Sequence, residues 1–512
     1  MLAILKSMGL CGLSGFQVDV EADINHGLPS CDIVGLADTA VKESRERVRS
    51  AIKNSGFSYH MERITINLAP AARKKEGALY DLAIAVALMS ASEQLSTAAA
   101  SNYVYFGELS LKGGLRRIRG LLPLLISARE QGLDNIIIPQ ANAAEAQYIS
   151  GLNVYAAVSL EQVVSFIKGE TQIAPLTKTD WQQTKSRSRT PADFKYVKGQ
   201  AFTKRALEIA VSGGHNILLI GPPGAGKTML SKCIPSIMPA LSFEEALETT
   251  KIHSIAGELD ESCGIVAARP FRAPHHTATA PAIVGGGRDS RPGEISLAHN
   301  GVLYLDEVTE YPKRVLETLR QPLEDGTITV SRALQSIDYP ARFMLVASMN
   351  PCPCGYYGSK KRECTCTQSQ IAKYMSKLSG PIMDRIDLHV EVDNVTYDDL
   401  VSAGMEEDSA DISARVAAAR GVSRTRFAGT GVYSNARMDS DALKRFCALD
   451  TAGENLMRAA FENLKLTARA YTRILKVART VADMAAQPDI KAEHLAEAIS
   501  YRSLDRKFRS LL

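Results

Sequence analysis

Eight residues, Gly221-Pro222-Pro223-Gly224-Ala225-Gly226-Lys227-Thr228, match the spacing G-x-x-x-x-G-K-[ST]. Glycines at such places let backbone N–H groups turn inward around phosphate oxygens. A following helix then presents the positive end of its dipole. Lys227 is expected to neutralise β- and γ-phosphate oxygens, and the Thr228 hydroxyl suits Mg²⁺. The apolar run Ile217-Leu218-Leu219-Ile220 enters the loop as a buried strand would. A second run, Gly301-Val302-Leu303-Tyr304-Leu305, ends in Asp306 and Glu307. Asp306 is expected to hold Mg²⁺ through water, and Glu307 to orient or deprotonate an attacking water. A third run, Phe343 to Ser348, stops at Met349-Asn350-Pro351. An amide there can polarise water against a γ-phosphate. Two solvated acids at a strand end and a turn-forming Asn-Pro are the plain alternatives. Taken together, the three clusters predict ATP hydrolysis with Mg²⁺.

Four of the nine cysteines form Cys352-Pro353-Cys354 and Cys364-Thr365-Cys366. Four thiols in this arrangement suit tetrahedral Zn²⁺, although C-x-C is tighter than the usual C-x₂-C. Reduced structural cysteines and a redox disulfide are the alternatives. The loop between carries Gly355, Gly358, Lys360, Lys361 and Arg362, so a metal would staple a basic loop beside Asn350. Residues 267–292 carry Arg269, Arg272, Arg288 and Arg291 against Asp289 alone. His275, His276 and Gly285-Gly286-Gly287 lie in the same stretch. A glycine-flanked basic loop suits contact with nucleic-acid phosphates, and an ordinary solvated loop is the alternative.

With these motifs stand Val197-Lys198-Gly199-Gln200, Phe271-Arg272-Ala273-Pro274-His275-His276-Thr277, Gly380-Pro381-Ile382-Met383-Asp384-Arg385-Ile386-Asp387 and Thr467-Ala468-Arg469-Ala470-Tyr471-Thr472-Arg473. Along essentially its whole length the chain resembles the ComM/YifB family of magnesium-chelatase-like AAA+ ATPases. The resemblance implies several roles. Gln200 belongs with the nucleotide. Arg385 is an arginine finger reaching the γ-phosphate of a neighbouring subunit, with a salt bridge to Asp384 or Asp387 as its alternative. Arg469 is the sensor arginine of a helical lid, with Arg473 as its competitor. A finger acting in trans implies a homo-hexameric ring.

Glu324 to Arg332 starts at an Asp-Gly turn and resembles a hairpin that points into the pore of related helicases. The N-terminal part resembles Lon-type (S5-type) protease domains. There Leu79 stands where the catalytic serine would be and Leu122 where the lysine would be, so neither nucleophile nor base is present. Lys74, Lys75, Arg116, Arg117 and Arg119 are offered to DNA or are scattered surface charge. The implied function is an ATP-driven DNA motor acting on single-stranded and branched DNA in recombination during natural transformation, with recombination proteins as partners. The alternative is an AAA+ remodeller of a protein partner, like a magnesium-chelatase motor subunit. No integrin-like docking domain for that role is read in the sequence.

These side chains need three bodies to position them. The expected fold is α/β throughout. A Lon-protease-like domain covers 1–170, a basic linker 171–198, an AAA+ parallel-sheet core 199–396 and a helical lid 397–512. At 512 residues the chain has length for about three cores. The linker carries six Lys/Arg against two Asp, which equals the formal net charge of +4 for the whole chain. A near-neutral total excludes a protein whose entire surface is a nucleic-acid glove, but not a local basic site. The longest apolar run, Leu82 to Met89, is too short for a membrane span. Met1 to Leu5 reads as a strand rather than a signal peptide, and a cytoplasmic location is expected.

Overall fold

The computed structural model describes residues 1–182, 184, 192–260, 264–287, 290–331, 336–359, 362–378, 380–397, 406–502 and 504. Arg288, Arg332, Lys360 and Lys361, together with the basic run 185–191, lie outside the described residues. The chain divides into two compact units, one made of 1–187 and 242–267, the other of 188–241 and 268–512.

The first unit is built on a seven-stranded mixed sheet. Strand Ser14–Asn25 pairs antiparallel with Leu2–Cys11 on one side and Arg63–Ala69 on the other. Ser30–Val34 adds in parallel at one edge, and Val104–Tyr105, Asn135–Pro139 and Asn153–Ala157 add in parallel at the other. In Ser14–Asn25 side chains alternate between core and surface, the period-two signature of a half-buried strand. The helix Asp81–Ala91 shows no such stripe. All eleven of its residues are buried, so it lies inside the unit. Leu79 and Leu122 are buried core residues.

Two sequence expectations need correction in this unit. The segment 171–182 is not a free linker. Ile173 and Leu176 pack on the core, the Leu176 amide donates to the Val154 carbonyl (2.8 Å), and the Lys178 ammonium is taken up by the carbonyls of Ile149 and Leu152. Second, Phe243–Ala256, assigned from sequence to the ATPase core, groups with the first unit. Its Ser254 hydroxyl donates to the buried Glu145 (2.9 Å), and its Ser254 carbonyl accepts from the Gly120 amide (3.0 Å). A capping box at Ser242 and Glu245 starts this helix and Gly257 ends it in the left-handed region.

The second unit is built on a five-stranded parallel sheet. Its order is Phe271–Arg272, Val302–Leu305, Met344–Met349, Ile217–Ile220, Leu388–Glu391. The strand earliest in the chain lies between the last two, which opens a crevice at its carboxyl end. Helices follow from Ser409 onward, the longest being Ser409–Arg426 and Ala468–Met484. The Asp325-Gly326 pair is not the expected hairpin turn. Gly326 (φ +69°) caps the helix Arg320–Asp325, and the hairpin proper pairs Thr327–Ser331 with Ser336–Pro340. Among the described residues no helix is long and apolar enough to cross a membrane.

Candidate nucleotide site

Parallel register sets Ile220 beside Met349 and Glu391, and Leu305 beside Ala347. The loops that leave these strands therefore start from one edge of the sheet. Gly221 follows Ile220, Asp306 follows Leu305 and Asn350 follows Met349. Gly221 is required by close approach, since a Cβ there would meet the Val392 carbonyl oxygen at 2.3 Å. Gly226 (φ +84°) opens the helix Lys227–Ile237 in a conformation that favours glycine.

Lys227 Nζ donates to the carbonyls of Gly221 (2.6 Å) and Pro222 (2.9 Å) and to Asn350 Oδ1 (3.2 Å). Two clusters separated by over a hundred residues in sequence thus share one ammonium. Burial pulls the Lys227 ammonium below its ordinary value, against the opposing pull of Asp306 and Glu307. The Thr228 hydroxyl donates to Asp306 Oδ2 (3.1 Å), which brings together the two residues expected to hold Mg²⁺. Asp306 also accepts from the Ser348 hydroxyl and the Glu307 amide (3.1 Å). Burial raises its carboxyl, but the hydrogen bonds from Ser348, Tyr304, Thr228 and Glu307 outweigh it and hold the acid below the usual carboxylate range.

Sequence reasoning missed Ser348 and Tyr304. The Tyr304 hydroxyl lies 3.3 Å from Ser348 Oγ and 3.4 Å from Thr228 Oγ1, and burial pushes its phenol up to about 12. The available signal was a hydroxyl on each of two otherwise apolar strands. Glu307 adopts a left-handed backbone (φ +49°), and its carboxylate lies 4.0 Å from His276 Nδ1. His276, expected among phosphate contacts, therefore sits beside Glu307, with its ring edge to Tyr311 and close to the ring of the exposed His275.

The remaining candidates are distributed as follows. Gln200 caps the helix Ala201–Gly213 and donates to the Asp393 carbonyl. It lines a cleft of about 510 Å³ with Phe202, Thr203, Asn394 and Thr396. Arg385, expected to face a neighbouring subunit, is buried. It donates to the Pro381 carbonyl (2.7 Å) and pairs with Glu324, not with Asp384 or Asp387. Reaching a neighbour would require its release from Glu324. Arg473 pairs with the buried Asp387 at 2.9 Å, while Arg469 is exposed and forms no side-chain ion pair or hydrogen bond among the described residues.

Two of the basic residues offered to DNA are engaged by their own chain. Arg269 donates to the carbonyls of Pro239 and Asn300 (2.5 and 2.6 Å). Arg272 makes a forked pair with Glu294 (2.6 and 2.8 Å). In the first unit Lys75 is buried on the Pro70 carbonyl, Lys74 pairs with Glu76 (2.6 Å) and Arg116 lies 3.6 Å from Glu108. The basic stretch 267–292 and the hairpin after Gly326 do meet. The Tyr339 hydroxyl donates to the Ser290 carbonyl (2.9 Å), and the glycine hairpin at Gly285 lies against Val330.

The sulfurs of Cys352, Cys354, Cys364 and Cys366 all lie within 4.8 Å of one another. Cys352 Sγ is 3.3 Å from Cys354 Sγ and 3.6 Å from Cys364 Sγ, and no disulfide joins them.

Comparison with known proteins bears on all of this. Residues 193–400 match the family described as "Magnesium chelatase, subunit ChlI". Residues 20–142 match "Subunit ChlI of Mg-chelatase", and 406–502 match the subunit ChlI C-terminal family. The chain is 44% identical over 508 residues to the uncharacterized protein YifB of Salmonella typhimurium, covering 99% of this chain and 98% of that one. It is 41% identical over 513 residues to the competence protein ComM of Haemophilus influenzae, covering 100% of this chain and 99% of that one. A more distant relative, the magnesium-chelatase 38 kDa subunit of Cereibacter sphaeroides, is 26% identical over 32% of this chain and 54% of its own length. The chain belongs to the ComM/YifB family of magnesium-chelatase-like AAA+ ATPases.

Proposed function

We propose that this protein is an ATP-driven DNA motor that assembles as a homo-hexameric ring and moves branched or single-stranded DNA during recombination in natural transformation. The observation that carries the ATP half is the shared sheet edge on which Lys227 reaches Asn350 and Thr228 reaches Asp306. Lys227 and the loop 221–228 would hold the phosphates, and Thr228 and Asp306 the Mg²⁺. Glu307 would act on water, Asn350 would sense the γ-phosphate, and Gln200 with its cleft would take the nucleoside. ATP supplies the phosphoanhydride energy, and Mg²⁺ neutralises the charge that develops as the bond breaks.

The DNA half draws support from the printed name of the ComM relative and from the two hairpins lying side by side. Arg385 would serve the neighbouring subunit's nucleotide and Arg469 the lid. The first unit would serve assembly or DNA handling, and a cytoplasmic location goes with DNA as substrate. The four cysteines would hold Zn²⁺. A second reading, a motor that remodels a protein partner, draws on the similarity to a magnesium-chelatase subunit.

The deciding experiment measures ATPase activity with and without single-stranded, duplex and branched DNA at stated salt. Stimulation by branched or single-stranded DNA is expected. If no DNA form binds or stimulates turnover, the DNA reading fails and the protein-remodelling reading takes its place. Lys227→Ala should abolish ATP binding in either case.

A further inference from the structure

The four-cysteine knuckle touches the phosphate loop. Gly355, one residue past Cys354, has φ +84° and is buried. A Cβ placed on it would come within 2.6 Å of Pro223 Cδ and 2.9 Å of Cγ. The knuckle's backbone therefore lies flat against the proline in the middle of the phosphate loop. Three residues before Gly355, Cys352 stands two residues after Asn350, whose side chain accepts from Lys227. The knuckle is thus tied to the nucleotide site twice, by chain continuity at Asn350 and by contact at Pro223.

Little else shapes this loop. Between Cys352 and Cys366 the described residues form turns and bends without a helix or strand. Only Cys352 among them belongs to the buried apolar core. Burial on that scale does not fix a fifteen-residue loop, whereas a metal crosslink does. The backbone is already arranged for sulfur that carries negative charge. The amides of Tyr357, Cys354 and Cys366 point at the sulfurs of Cys352 (3.3 Å), Cys366 (3.4 Å) and Cys364 (3.4 Å). Four thiolates this close repel one another unless a divalent cation sits among them.

We infer that Zn²⁺ held by Cys352, Cys354, Cys364 and Cys366 acts as a strut for the phosphate loop, keeping Gly355 seated on Pro223 and thereby setting nucleotide affinity. The inference rests on the ATPase reading and on zinc as the ligand, and it adds that metal supply controls ATP binding. On zinc binding each thiol releases its proton and forms one S–Zn bond, with no change of oxidation state.

The test uses the full chain with a fluorescent ATP analogue, and metal content is measured by mass spectrometry. Wild type should carry one Zn²⁺ per chain, and Co²⁺ in its place should give a tetrahedral thiolate spectrum. Cys364→Ser and Cys366→Ser should lose the metal and weaken analogue binding at least about tenfold, the scale of losses on disturbing a metal site's supporting shell. Gly355→Ala should keep the metal yet weaken binding, because its methyl strikes Pro223. Should a cysteine variant fold poorly, chelator-stripped wild type with unchanged circular dichroism replaces it, and Zn²⁺ should restore affinity. Metal lost with affinity altered less than about twofold overturns the strut but leaves zinc in place. Neither Zn²⁺ nor Co²⁺ binding to wild type overturns both. Wild type that binds zinc but no nucleotide overturns the ATPase reading instead.

Discussion

Two acids, one in each unit, show how different surroundings give carboxylates different work. Asp81 begins a wholly buried helix, and its side chain is 0% exposed. It accepts from Arg47 Nε (2.8 Å) and Nη2 (3.1 Å), from the Ser44 hydroxyl and from the Leu109 amide (3.2 Å). Its charge is balanced by a cation of its own chain. Asp306 ends a buried strand, yet its partners are the hydroxyls of Ser348 and Thr228 and the Glu307 amide. Among the described residues no Lys or Arg forms an ion pair with it. Neutral donors orient an acid and keep it ionised without cancelling its charge, which leaves that charge for a cation from outside. Asp81 has its balancing cation within the chain, and on the proposed function Asp306 would take its own from Mg²⁺.

The largest expected effect breaks the first half of the comparison. Asp81→Ala takes from the half-buried Arg47 its closest carboxylate, leaving Glu43 at 3.9 Å, and deprives the Ser44 hydroxyl and the Leu109 amide of their acceptor, so it should cost about 3–5 kcal/mol of stability in urea unfolding. ATP affinity should be retained at temperatures where the variant is folded. Replacing the pair together, Arg47→Met with Asp81→Leu, should recover most of the loss. An Asp81→Ala protein that stays as stable as wild type but stops hydrolysing ATP would refute the structural role given to it.

Kinetics should show the mirror image on the other side. Asp306→Asn should lower ATP turnover about 10²–10³-fold, the scale seen when a preorganised electrostatic partner is removed. Its melting temperature should hardly move, because no buried cation is orphaned. Glu307→Gln should bind ATP and hold it without turnover, and rapid hydrolysis by that variant would remove Glu307 from its proposed role.

A smaller effect separates two arginines one helical turn apart. Arg473→Ala takes from the buried Asp387 its arginine partner, leaving His215 and the Asn216 amide, and should cost about 2 kcal/mol, as expected for a lost hydrogen-bonding partner of a charged group. Arg469→Ala touches no partner among the described residues, so its stability should stay within about 0.5 kcal/mol of wild type. A fall in turnover for Arg469→Ala, with stability held, assigns the lid sensor. The same fall in Arg473→Ala alone transfers the role to that residue.

The phosphate loop, the acid pair and the Asn-Pro stop were legible because each is contiguous in sequence and each follows an apolar run that could only be a strand. Asp306's hydroxyl partners were not legible. Ser348 and Tyr304 are single polar residues on buried strands, and only parallel register brings them to the acid. Charge counting also could not see the intrachain partners of Arg269 and Arg272, since Asn300 and Glu294 lie more than twenty residues further along. The allegiance of Phe243–Ala256 was hidden for a related reason. An amphipathic helix states that it has an apolar face but not which sheet covers that face.

The smallest effect concerns pH, where Asp387 and Asp306 can be set against each other. Burial works against ionised Asp387, but Arg473, His215 and the Asn216 amide hold its carboxyl far below the usual range. A depressed folded-state value means that the unfolded chain takes up the proton first. The stabilisation is therefore complete above the unfolded value of about 3.9 and is lost as pH falls toward the folded value. Asp306 is depressed in the same direction but is only half-buried, so solvent screening shrinks its share of stability. Its titration should instead appear in Mg²⁺-dependent ATP affinity, flat through neutrality and falling once the carboxyl protonates. Asp387→Asn should flatten the acid limb of unfolding and leave that binding curve in place. Asp306→Asn should do the reverse. If both substitutions flatten the same curve, the two acids are not separable, and the distinction between a cation within the chain and one from outside fails.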